Sequence, residues 1–190
     1  MDLARAYLDG GARILQIRAK ALGSGSLLDL CDEIVSAAAP YDALVVVNDR
    51  ADVARSSGAA GVHVGQEDLS PSDARRLLGD QAIVGLSTHT ESQIEAALLE
   101  PISYLAVGPV FGTQTKETGY SAVGLDLVAR ASTLAGRIPV VAIGGITLEN
   151  ARSVLDAGAT SVAVISDLLV TKNVLGRTAA YLRTLAEHRV

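Results

Sequence analysis

Asp49 and Asp68 each fall just after a short apolar run. Two carboxylates brought to one rim can hold Mg²⁺ through hard oxygen ligands, leaving room in its shell for water and substrate phosphate. Either aspartate alone could as readily cap the helix that follows it. The neighbouring cations favour the metal. Arg18 and Lys20 stand two positions apart at the end of another run, so both can face one side, and Lys116 lies in a Gly/Thr-rich loop. Arginine and lysine beside a metal form a clamp for a diphosphate and stabilise charge as it departs. A second anion position is expected at Gly144-Gly145, which ends a run ahead of a helix opening at Thr147, with Ser166 ending the next run. Backbone N–H groups at such a helix start are free to meet a phosphate.

The histidines read more plainly. His63 sits among valines and small residues, as a core histidine satisfied by its neighbours, and His89 reads as a support for its loop. No GxSxG, HExxH or Cys–His arrangement occurs, so a hydrolase or zinc site has no motif to stand on.

The elements that must position these groups are seven β-branched runs, at residues 14–18, 44–48, 61–65, 82–87, 103–108, 138–144 and 161–166. Between them lie Ala/Leu/Arg-rich stretches of helical period, such as 71–78, 91–99 and 125–134, with a further one at 2–8. Strand–helix alternation calls for a parallel sheet, and near-continuous apolar runs suit strands covered on both faces. One pattern recurs in Gly11-Ala12-x-x-Leu15-x-Ile17, Gly58-Ala59-x-x-Val62-x-Val64 and Gly158-Ala159-x-x-Val162-x-Val164. In each, a glycine suited to end a helix is followed by a small residue and a buried strand. The reuse of one unit without linkers predicts a single domain over residues 1–190, an α/β barrel of the TIM (β/α)8 type, with an open doubly wound sheet as the alternative. Seven runs are counted where a closed barrel needs eight, so either the first strand is lacking from this chain or the barrel is open. The seam between runs 14–18 and 161–166 should then gape or be covered by another chain.

Composition removes other classes. Sixteen basic against twenty-one acidic residues and an aromatic fraction of 3% argue against nucleic-acid binding. The single cysteine excludes an internal disulfide or a cysteine-rich metal site. No apolar run approaches the ~20 residues of a membrane span, and no signal sequence precedes the first helix, so a cytoplasmic protein is expected.

Taken together, certain strings resemble the thiamine phosphate synthase family. They are Gln16-Ile17-Arg18-Ala19-Lys20, Val47-Asn48-Asp49, Gly61-Val62-His63-Val64-Gly65-Gln66-Glu67-Asp68, Gly85-Leu86-Ser87-Thr88-His89-Thr90 and Gly108-Pro109-Val110-Phe111. Thr113-Gln114-Thr115-Lys116, Ile143-Gly144-Gly145-Ile146-Thr147 and Val164-Ile165-Ser166 extend the likeness across most of the chain. The resemblance implies a Mg²⁺-dependent transferase that joins hydroxymethylpyrimidine diphosphate to a thiazole phosphate, carboxylated or not, and releases pyrophosphate by a dissociative displacement. It implies that Gln16, Ile17, Arg18, Ala19, Lys20, Asn48, Ser87 and Lys116 meet the pyrimidine diphosphate, with Arg18, Ser87 and Lys116 catalytic. Asp49 and Asp68 would be the metal ligands, and Thr113, Gln114, Thr115, Gly144, Val164, Ile165 and Ser166 would meet the thiazole phosphate. A homodimer is also implied, with small molecules rather than nucleic acid or membrane as partners. The rival readings are a related thiazole tautomerase and an idle phosphate-binding module. Pro109 stands where the tautomerase carries its catalytic histidine, and an idle binder has no need of a metal and a leaving-group clamp.

Overall fold

In parallel strands, successive side chains point to opposite faces, and this chain uses the two faces differently. The computed structural model describes residues 2–112 and 120–188. Its strands are β1 (Ile14–Ile17), β2 (Leu44–Asn48), β3 (Gly61–Val64), β4 (Ile83–Thr88), β5 (Tyr104–Val107), β6 (Val140–Ile143) and β7 (Ser161–Ala163). All pair in parallel with their sequence neighbours, in the order β1 to β7. The helices are α1 (Asp2–Asp9), α2 (Ser24–Ala38), α3 (Ala51–Ser56), α4 (Pro71–Leu78), α5 (Glu91–Ala97), α6 (Gly124–Ala135), α7 (Ala151–Asp156) and α8 (Val174–His188).

Val45, Val47, Val62, Val64, Val84, Leu105, Val107 and Ala142 join Leu27, Cys31, Ile94, Val128 and Val154 of the helices in one buried core. The alternate positions, among them Gln16, Asn48, His63, Ser87, Tyr104 and Ala106, fall on the other face. That face is concave. At about 4.8 Å per strand, four steps across a flat sheet would separate β1 from β5 by about 19 Å, yet the Gln16 side chain reaches the Tyr104 phenol. The sheet therefore curls, and the architecture is a TIM-type (β/α) barrel with seven strands.

The repeated Gly-Ala pattern does what its spacing implies. Gly11, Gly58 and Gly158 take φ of 97°, 66° and 99°, and the alanine after each donates its N–H five residues back, to Tyr7, Ala54 and Val154. Each helix is thereby stopped and the chain returned into a strand.

Among the described residues β1 and β7 share no ladder, which is the seam expected from seven strands. On the outside, α8 packs against both α7 and α1. A side chain at Gly10 or Gly11 would collide with Thr178 or Leu182, so α1 and α8 are in close contact. The helix layer thus continues where the sheet does not. Among the described residues no helix is long and apolar enough to cross a membrane.

Inside the curl, two glycines make room. A Cβ on Gly61 would lie 1.8 Å from the Ile83 carbonyl oxygen, and one on Gly85 would lie 2.1 Å from Tyr104 Cζ. The first obstacle is backbone and cannot step aside. Gly61→Ala should therefore destabilise the protein by about 3 kcal/mol, read as a lower urea midpoint with unchanged slope.

Candidate active site

The charged rim lies past the carboxyl ends of the first three strands. Asp49 follows β2 directly, donates its N–H to the His63 carbonyl at 2.8 Å and then turns with φ of 63°. Lys20 donates to its Oδ2 at 2.9 Å, and an Arg18 guanidinium nitrogen stands 4.0 Å from the same oxygen. Asp68 Oδ2 accepts the Gly65 N–H at 2.8 Å, closing the turn after β3. Neither aspartate caps a helix. Ser70 caps α4, accepting from the Asp73 N–H, and α3 has no side-chain cap. Burial alone would raise the Asp49 pKa, but the Lys20 hydrogen bond, the Asp68 carboxyl beside it and the charges of Lys20 and Arg18 outweigh burial and hold it low. Arg18, Lys20, Asp49 and Asp68 are thus gathered in one place. Ile17 differs: its side chain is buried in the helix-facing core, so only its backbone is available to a ligand.

Below this rim runs a polar string inside the curl. His63 Nδ1 lies 2.8 Å from Tyr104 Oη, and its Nε2 lies 2.8 Å from Ser87 Oγ. The His63 and Tyr104 rings stack with centroids 5.6 Å apart. Gln66 donates to the Ser87 carbonyl at 2.7 Å, and Asn48 is buried on the same face at the end of β2. His63 is the satisfied interior histidine that its sequence surroundings imply. His89 holds its loop as expected, through Nδ1 on the Gly108 carbonyl and a ring stacked 3.9 Å from that of Tyr120.

The local structure expected at the second anion position needs one correction. The helix expected to open at Thr147 begins at Ala151, because the Thr147 N–H is held by Asn150 Oδ1 at 2.8 Å and a turn intervenes. Gly144 has φ of 96°, and a Cβ there would lie 2.5 Å from Pro109 Cβ, so packing against Pro109 already requires glycine. β7 ends at Ala163, so Val164 and Ile165 lie beyond it, and Ser166 opens a 3-10 turn. Thr113, Gln114, Thr115 and Lys116 lie outside the described residues.

One functional support escapes sequence reasoning. Asp167, directly after Ser166, is buried and accepts from Arg177 at 2.9 Å, from the Tyr181 hydroxyl and from the Leu148 N–H at 3.2 Å. Glu149 adds a second carboxylate to Arg177 at 3.4 Å, its pKa held low chiefly by its own N–H and the Thr147 hydroxyl. This clamp ties the turns after β6 and β7 to α8.

A family model for thiamine monophosphate synthase matches residues 1–168. This chain belongs to the thiamine monophosphate synthase family. It is 46% identical over 167 residues to the thiamine-phosphate synthase of Koribacter versatilis, covering 88% of this chain and 78% of that protein. The structure of a thiamine phosphate pyrophosphorylase from Pyrococcus furiosus superposes with a TM-score of 0.91 at 32% identity, covering 98% of this chain and 89% of that one. The phosphoribosyl anthranilate isomerase of Thermotoga maritima, at 18% identity, a TM-score of 0.70 and coverage of 98% and 94%, shares the fold alone. The family match ends at residue 168, before α8, although Arg177 and Tyr181 of α8 hold Asp167.

Two outcomes follow from these contacts. Arg177→Met leaves the Asp167 carboxylate buried without its cation, and the partial exposure of Arg177 moderates the loss, so stability should fall by about 2 kcal/mol in urea titrations. The folded-state pKa of Asp49 lies below its usual 3.8. Its ion pair therefore contributes above that pH and is lost as pH falls through the folded value. Lys20→Met should flatten this acid limb of stability, measured by urea unfolding between about pH 5 and about pH 3.

Proposed function

We propose that this protein condenses hydroxymethylpyrimidine diphosphate with a thiazole phosphate, forming thiamine phosphate and releasing pyrophosphate. The observation that carries the reading is the gathering of Asp49, Asp68, Lys20 and Arg18 on one rim in a member of this family. The C–O bond from the pyrimidine methylene to the diphosphate breaks, and the thiazole nitrogen forms the new C–N bond to that methylene. Arg18 and Lys20 meet the charge that grows on the departing diphosphate, a role that the family resemblance gives to Lys116 as well. Gln16, Asn48 and Ser87 hold the pyrimidine half, with the backbone at Ile17 and Ala19 alongside. Thr113, Gln114, Thr115, Gly144, Val164, Ile165 and Ser166 hold the thiazole phosphate. Holding the two substrates in register supplies much of the remaining acceleration.

The residues fit Mg²⁺. Among the described residues no three His, Cys, Asp or Glu side chains converge on a metal position, so Asp49 and Asp68 would be the protein's share of the shell. Two carboxylates side by side, with the remaining positions left to water and phosphate, match the preference of this ion. Bound there, it would neutralise diphosphate charge. A cytoplasmic homodimer, each chain a single domain, completes the reading.

Pyrophosphate release with both substrates and Mg²⁺ tests the whole assignment, and none above the uncatalysed rate would refute it. Asp68→Asn should lower turnover by about 100-fold while leaving the melting temperature nearly unchanged, since Asp68 is exposed. Unaltered Mg²⁺-dependent turnover in that variant would remove Asp68 from the metal site.

A further inference from the structure

Ser87 and His63 stand to each other as a nucleophile stands to its base, with Nε2 2.8 Å from Oγ and both residues 8% exposed. The direction of the proton between them is decided by the group on the far side of the ring. A carboxylate at Nδ1 accepts a proton there, leaves Nε2 bare and makes it a base for serine. Here that group is a phenol, the Tyr104 hydroxyl, 2.8 Å from Nδ1.

A phenol is a good donor and a poor acceptor, because its lone pairs are drawn into the ring, whereas the bare nitrogen of a neutral imidazole is a strong acceptor. For a neutral imidazole this preference would put the Tyr104 O–H on Nδ1 and the single ring proton on Nε2. Nε2–H then donates to Ser87 Oγ. Burial pushes the Tyr104 phenol far up, so it keeps its proton and remains a donor. The arrangement is held sterically too. Tyr104 lies over Gly85, where any Cβ would be 2.1 Å from Cζ, and its ring stacks on His63.

With its oxygen accepting from His63, Ser87 keeps its own proton for a ligand. We propose that Tyr104 and His63 fix Ser87 as a hydrogen-bond donor to the bound pyrimidine diphosphate, so that the site selects a substrate atom carrying a lone pair and withholds Ser87 from use as a nucleophile. The identity of that ligand rests on the function proposed above, whereas the proton arrangement belongs to the ligand-free protein. Tyr104 and His63 are positioning residues, acting through Ser87.

The first test needs no substrate. Long-range ¹H–¹⁵N correlation spectra of ¹⁵N-histidine-labelled protein, with the His63 signal assigned from a His63→Asn variant, should show the proton on Nε2. A proton on Nδ1 would overturn the proposal whether or not the protein makes thiamine phosphate. The second test is kinetic. Tyr104→Phe keeps the ring beside Gly85 and removes the donor. It should lower kcat/KM for the pyrimidine diphosphate about tenfold and leave KM for the thiazole phosphate unchanged. In a Ser87→Ala background the same substitution should have no further effect. Penalties that multiply in the double variant, or a loss shared equally by both substrates, would show that Tyr104 serves packing rather than Ser87.

Discussion

Every strand in this protein has two faces and only one of them is free for chemistry. The outward positions of β2 to β6 are committed to valine, leucine and alanine packed under helices, with Thr88 at the end of β4 the polar exception. Polar function is left to the inward positions and to the residues just past the strand ends. That division explains why Asn48, His63 and Ser87 occupy the same face on three successive strands. It also explains why Ile17, between Gln16 and Arg18, belongs to the core. A one-residue slip in any strand would exchange the two sets, burying charge under the helices and placing valines in the site. The positions of the glycines follow from the same constraint. An aromatic ring on an inward position must displace something, and Gly85 on the adjacent strand is what yields to Tyr104.

The two halves of the rim are stabilised differently. Around Asp49 the balance is electrostatic and open to solvent: one carboxylate, an adjacent carboxyl and two cations, poised to be rearranged by a polyanion. Around Ser166 the support is buried. The Asp167 carboxylate is shared among a guanidinium, a phenol and a backbone N–H, the first two from α8 and the third from the turn after β6. Under the proposed assignment, the departing diphosphate would meet mobile charge and the retained monophosphate a fixed cradle.

Much of this was legible in the residues. The seven strands were marked by β-branched runs, three of them preceded by a glycine and a small residue, and α4 by the helical period of residues 71–78. The rim charges were legible because parallel barrels place the residues after each strand together. The start of α7 was not, since a helix and a turn at Thr147 differ by a side-chain bond from Asn150 and by the pull of Asp167 on Leu148. The interior string was hidden by distance. Ser87 lies 24 residues and Tyr104 41 residues from His63, and only the curl of the sheet unites them. One signal did exist: a glycine inside a strand marks the close approach of another group, and Gly85 marks Tyr104. Nothing comparable announced Arg177, which reads as one more charge on an amphipathic helix.

The close contact of α1 with α8 joins opposite ends of the described chain, and it does so without help from a ladder between β1 and β7, which share none among the described residues. Neighbouring βα units meet locally and can assemble early, whereas this contact closes a loop of nearly the whole chain and carries the largest entropic cost. Ring closure should then come late in folding and open early in unfolding. The amides along β1 and β7 would exchange with solvent well before those of β3 and β4. The proposed catalytic rim borders this seam on one side, through Arg18 and Lys20, and the centre of the sheet on the other, through Ser87. Substrate that bridges the two would lock the seam as it binds, coupling occupancy of the site to the integrity of the barrel.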